Sequence, residues 1–169
     1  MFDHIGIISQ SNRVQNWEVQ IVTAALQIQI SRDFSPIWGI DGTVSAFNSL
    51  EDLPAGFWPM VIRDDIGING SGIHLDHNKK PFGLVKATNS WPLTASHEVL
   101  EILADPMGNR MRTAHSIKPD QGLVEYLVEV CDPSEAAQFG YQINGVRLSD
   151  FYTPEFFLSL SSGSQRYSF

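Results

Sequence analysis

Residues 94 to 106 read Thr-Ala-Ser-His-Glu-Val-Leu-Glu-Ile-Leu-Ala-Asp-Pro, an otherwise apolar helical stretch that carries His97, Glu98 and Glu101 and is ended by Pro106. Val99, Leu100, Ile102 and Leu103 supply the side that anchors such a helix in a core. The chain must therefore bury one side of this helix while its other side brings a histidine and two carboxylates to a common place. Residues four apart lie about 40° apart around a helix axis, so His97 and Glu101 can point at one metal ion. Glu98, about 100° further round, then flanks that ion as an acid or base.

Composition limits what surrounds this helix. With 169 residues and 43% hydrophobic content, the chain can bury one sizeable core but not two independent ones, so a single domain over residues 1 to 169 is expected. The formal charge of −8 argues against a nucleic-acid backbone or an anionic membrane as main partner, and a cation or a basic peptide is the better electrostatic match. The single cysteine, Cys131, allows no intrachain disulfide and excludes a Cys-rich zinc site. The cytoplasm is the default compartment. Asp3 and the short apolar run after it do not make a Sec signal, and no window approaches the length of a membrane span. Non-Sec export, or packaging in a particle, would leave no mark of this kind.

Along the chain, residues 2 to 8 read as a strand. From Val14 to about Ile30, Val14, Trp17, Ile21, Ala24, Ala25 and Ile28 recur at three- and four-residue steps and predict an amphipathic helix, broken by Asp33, Pro36 and Gly39. Thr43 to Phe47 and Phe57 to Arg63 read as strands, the second with an irregular or edge-proximal start at Pro59. Gly72 to Asp76 and Phe82 to Ala87 predict a hairpin or bulged edge strand. Thr94 or Ser96 offers a cap for the His97 helix. The stretch from Pro106 to Gln121 reads as loop, and Leu123 to Val130 as either strand or buried helix. Tyr141 to Leu148 turns at Asn144-Gly145, ahead of an aromatic cluster that includes Phe151, Tyr152, Phe156 and Phe157. That cluster, with Tyr167 and Phe169, can close a core or serve as a docking surface.

Outside the His97 helix, His74-Leu-Asp-His77 could hold a metal by itself, since His74 and Asp76 share one face of a strand. The favoured reading is a polar edge that shields the strand from aggregation. The glycine-rich stretch from Asp64 to Gly70 lacks the spacing of an EF-hand loop. No phosphate-binding loop, dinucleotide fingerprint or G-x-S-x-G elbow is present, so phosphoryl, hydride and serine-hydrolase chemistry have no support.

The helix motif is one residue away from H-E-x-x-H, the metalloprotease signature, because Glu101 stands in place of the second histidine. Together with the blocks Asp33 to Gly39, Glu129-Val-Cys-Asp-Pro133 and Val146 to Phe151, it resembles an uncharacterised bacterial and phage zincin-like family whose helix reads H-E-x-x-E. The resemblance spans most of residues 14 to 157. It implies an α+β fold: an N-terminal helix packed on a twisted mixed sheet, with an edge strand above the metal-site helix. It also implies that a third ligand lies downstream of that helix. Glu129 is the first choice, and Asp132 and Asp105 are its rivals.

Two functions are then open. One is a metal-dependent hydrolase, a peptidase, in which His97, Glu101 and Glu129 or Asp132 hold Zn²⁺ and Glu98 is the catalytic base. The carboxylate-rich set also suits harder ions such as Mn²⁺ or Ca²⁺. The other is a zincin-like scaffold without catalysis, a binding or structural subunit of a phage-like or multi-protein assembly, motivated by the Glu101 departure. The partner is accordingly a peptide or protein, bound either as substrate or as assembly neighbour.

Overall fold

A computed structural model of the chain describes residues 3–116, 118–157 and 168–169, so Tyr167 lies outside it. The chain folds as α+β around a five-stranded sheet of order β2-β1-β3-β5-β4, formed by β1 (Asp3–Ser9), β2 (Gly42–Phe47), β3 (Phe57–Arg63), β4 (Gly72–His77) and β5 (Lys80–Lys86). Four of these strands run parallel, and β4 alone is antiparallel, at the sheet edge beside β5. Ile5, Ile7, Val44, Met60, Ile62 and Val85 alternate onto one face. They share one apolar cluster with helix α1 (Asn16–Ile28) and helix α3 (Trp91–Ala104), which gives two packed layers.

The hairpin expected at residues 77 to 81 is present. Asn78 and Lys79 both take positive φ, 53° and 61°, the pair of conformations that a two-residue turn needs to match strand twist. Asn144 and Gly145 do the same between β8 (Tyr141–Ile143) and β9 (Val146–Leu148). Phe57 to Arg63, by contrast, is the central strand. Pro59 is tolerated there because pairing to β5 begins only at Met60, so one side of the strand is still open at the proline.

The N-terminal helix differs from expectation in face and length. Val19, Val22, Ala25, Leu26, Ile30 and Phe34 are its buried stripe, whereas Trp17 is 61% and Ile21 50% exposed. Two apolar stripes satisfy the same three- and four-residue spacing here, and packing against β1 and β2 selects the second. Asp33 and Pro36 do not stop the helix. A wider π-turn over Gln29–Phe34 leads into α2 (Ser35–Trp38), where Pro36 occupies the first turn and loses no hydrogen bond. Gly39, at φ 65°, ends the run.

The segment expected as loop after Pro106 contains β6 (Met111–His115), paired with β7 (Leu123–Leu127), so the ambiguous downstream stretch is a strand. Only Ala114, Val124 and Tyr126 turn towards the core, while the large apolar Met111, Leu123 and Leu127 are exposed, so the apolar residues do not mark the inner face. Beyond it, Val128 to Cys131 passes back into the core beside α3. The tail closes that core: Phe151 and Phe157 are buried, and Phe34 meets Trp38 and Phe151 ring to ring. Among the described residues, no helix is long and apolar enough to cross a membrane.

Candidate metal centre

Helix α3 starts at Trp91 with Pro92 in its first turn, so neither Thr94 nor Ser96 caps it. Ser96 instead fixes the helix from behind. Its hydroxyl donates to Gln29 Oε1 (2.8 Å) and accepts from the Ser149 N–H (2.9 Å), while Gln29 Nε2 donates to the Ser149 carbonyl (2.8 Å) and the Tyr141 hydroxyl (3.0 Å). The π-turn delivers Gln29 to this buried network, which locks the residue next to His97 against α1 and β9.

On the other side of α3, the His97 Nε2 atom lies 3.1 Å from Glu101 Oε2 and 3.2 Å from Asp132 Oδ1. Glu101 is held by its second oxygen, which accepts the buried Cys131 N–H at 3.1 Å. This bond docks the 128–132 segment along the helix and brings both Glu129 and Asp132 to the site. Asp105 is not brought in as a ligand: it turns back at the helix end to accept the Arg110 N–H at 2.6 Å. Cys131 is fully buried with its thiol within 4.8 Å of ligand atoms of His97 and Glu101, and burial pushes that thiol well above the usual range, so the metal-free protein keeps it protonated.

The residue that sequence reasoning assigned elsewhere is His74. On β4 its side chain is 5% exposed and faces α3, with Nδ1 3.6 Å from Glu98 Oε2 and 3.7 Å from Glu101 Oε2, and Nε2 3.8 Å from Glu129 Oε2. Asp76 and His77 do fit the polar-edge reading, since they are exposed and bond to Lys79 and Asn78 in the turn. Alternation along β4 carries the missed signal: Gly72, two residues before His74, must face the same way. A side chain at Gly72 would collide with Glu98 and come within 2.6 Å of Thr94. The glycine lets the edge strand approach the side of the helix that carries Glu98.

These side chains line a cleft of about 700 Å³ between β4, α3 and the 129–137 segment. Among the described residues its walls include Glu98, Glu101, Glu129, Asp132, Asp76 and Glu135, and neither lysine nor arginine. Two ligand atoms at about 2.1 Å from one ion in tetrahedral geometry are about 3.4 Å apart. Separations of 3.1–3.8 Å bracket that value, and those of 3.6–3.8 Å are too long for hydrogen bonds. His74 Nε2 and Glu129 Oε2 are buried and have no hydrogen-bond partner. The donor set thus fits a cation of oxygen-and-imidazole preference.

Electrostatics agree with the geometry. Burial raises the carboxyl of Glu98, and burial with the Glu101 charge raises that of Glu129 to about 7. Burial opposes a charged His97, but hydrogen bonding to Asp132 and Glu101 outweighs it and lifts the imidazolium to about 11. At His74, too, burial is outweighed, by Glu98, Glu129 and Glu101. Asp132 is lowered by its hydrogen bond to His97.

Four of these groups thus favour their protonated forms in the folded chain. In metal-free protein their stabilisation is complete below the ordinary values of 4.5 for glutamate and 6.5 for histidine. It is lost as pH rises, through about 7 at Glu129 and about 11 at His97. Asp132 has the opposite sign and acts only in the acid range. The melting temperature of chelator-treated protein is therefore expected to fall between pH 5 and 9. A divalent cation, which needs deprotonated ligands, should stabilise increasingly over the same range. Melts with and without Zn²⁺ would check this, and a chelated protein that gains stability towards pH 9 would contradict it.

Compared with protein-family models, with curated proteins and with solved structures, the chain shows no significant match to any.

Proposed function

We propose that the chain is a zincin-like metal-dependent hydrolase acting on peptide bonds. The observation that carries this reading is the convergence of His97 and Glu101, one helical turn apart, with a downstream carboxylate beside a cleft whose upper wall is the edge strand β4. His97, Glu101 and Asp132 would hold the ion. Zn²⁺ fits, as do Mn²⁺ and Ca²⁺, because two carboxylates make the set harder than a two-histidine site. When bound, the ion would polarise the scissile carbonyl and acidify a water towards a pKa of about 7.

The chain's own residues supply the rest. Glu98 is buried at the cleft beside Glu101, and its raised pKa suits a group that takes a proton from water and returns it to the leaving amine. The terminal position of β4 leaves one of its edges unpaired within the sheet, where an extended peptide can add as a further strand. The acidic walls favour a substrate with basic side chains.

A second reading, an inactive zincin-like scaffold serving as a binding or structural subunit, is favoured by one observation. His97 is already satisfied by Glu101 and Asp132 as an imidazolium, so the site can be neutralised without an ion. Metal analysis of protein purified without chelators, followed by cleavage of a basic peptide library, separates the two. Bound metal with chelator-sensitive cleavage supports the hydrolase. Bound metal without turnover, or no metal at all, would support the scaffold.

A further inference from the structure

The cluster offers more ligand atoms than one ion needs, and they fall into two sets with a single shared member. One set surrounds His97, with Glu101 and Asp132 at 3.1 and 3.2 Å from its Nε2 atom. The other is His74, Glu101 and Glu129, each of which presents one ligand atom within 4.8 Å of the others. The second set draws on a further element, the edge strand β4 that carries His74, and its donors carry the unexplained atoms of the site. His74 Nε2 and Glu129 Oε2 are buried, aimed at each other at 3.8 Å, and bonded to nothing. Both can donate a lone pair to a cation, and neither orphaned atom is accounted for by an ion at His97.

Charge leads to the same arrangement. Glu98, Glu101, Glu129 and Asp132 converge in a cleft that, among the described residues, contains no lysine or arginine. Once both imidazoles are deprotonated to bind metal, one divalent cation offsets two of these four carboxylates, whereas two offset all four.

We propose that the centre takes two divalent cations, with Glu101 as the bridging carboxylate: one ion on His97, Glu101 and Asp132, and a second on His74, Glu101 and Glu129. Each ion has one imidazole and two carboxylates, an oxygen-rich set suited to Mn²⁺ as well as Zn²⁺. A shared carboxylate places paired ions about 3.5–4 Å apart in two-metal hydrolytic sites. The fixing of one Glu101 oxygen by the Cys131 N–H leaves the other, Oε2, as the atom facing both histidines. The proposal extends the metal reading above and does not depend on the reaction being peptide hydrolysis.

The test is metal stoichiometry on the full chain, stripped with chelator and reloaded with Mn²⁺ alone. Wild type should hold two ions per chain and give the spin-coupled paramagnetic-resonance signal of a close pair. His74→Ala should hold one ion and give the six-line signal of an isolated Mn²⁺. Glu129→Gln, which keeps shape and removes charge, should do the same if the alanine variant folds poorly, and melts would verify the fold of both. One ion in wild type, retained by both variants, would overturn the second site and leave the single-ion hydrolase standing. A second ion that survives both variants without spin coupling would also overturn it, as binding elsewhere. No ion in wild type would remove both readings.

Discussion

Glu101→Gln is expected to empty the metal centre while the fold survives, lowering the affinity for Zn²⁺ or Mn²⁺ by a factor of about 10² or more. The reason lies in how its two carboxylate oxygens are used. One accepts the buried Cys131 N–H at 3.1 Å, and the other faces His97 at 3.1 Å and His74 at 3.7 Å. A glutamine can place its carbonyl on the Cys131 N–H and so preserve the docking of the 128–132 segment, but it puts a neutral amide where the ion needs an anion. Glu101→Ala removes both functions. It should lose the metal and also cost about 1–3 kcal/mol, because a buried N–H is left unpaired. Isothermal titration with metal, run beside urea unfolding of the metal-free variants, checks the pair of outcomes. If Glu101→Gln bound metal like wild type, Glu101 would be a docking residue only and the ion site would have to be sought elsewhere.

The elements of the fold that were legible in the sequence are those whose pattern is enforced by one buried face and closed by punctuation. β1, β2, the β4–β5 hairpin and the β8–β9 hairpin all combine apolar runs with glycine, proline or asparagine turns, and α3 is bounded by Pro106. Where the chain carries apolar residues on two sides, local spacing has no means of choosing between them. Trp17 and Ile21 were as periodic as Val19 and Val22, and only the position of the sheet decides that the second pair is buried. The β6–β7 ribbon failed for the complementary reason, since its large apolar residues Met111, Leu123 and Leu127 are exposed and its inner face carries only Ala114, Val124 and Tyr126.

The site divides in the same way. His97, Glu98 and Glu101 were legible because helix geometry fixes their relation whatever else the chain does. Glu129 and Asp132 could be named as alternatives but not assigned, and the structure brings both in, one to each histidine. His74 was missed because its role depends on which strand forms the sheet edge and how closely that strand approaches α3. The clue was Gly72, whose lack of a side chain admits Glu98. A glycine two residues before a histidine reads locally as a weak strand start. It becomes informative only once the helix packed against it is known.

On the proposed hydrolase reading, Glu98→Gln separates chemistry from binding and should lower peptide hydrolysis by about 10²–10⁴ while the metal content stays at the wild-type level. Glu98 stands next to the ligand helix turn without belonging to either set of metal donors, and its carboxylate lies in the cleft, 3.6 Å from His74. The amide preserves the packing against Gly72 and takes away only the capacity to accept a proton. Loss of a base, rather than of substrate affinity, predicts that kcat falls with KM little changed. It also predicts that the acidic limb of the wild-type pH–rate profile, assigned to ionisation of Glu98, disappears from the residual activity. A variant that retained full activity would remove Glu98 from the reaction. A variant that lost metal and activity together would make Glu98 a ligand, and the proton acceptor would then have to be sought among the cleft's remaining carboxylates, Asp76 and Glu135.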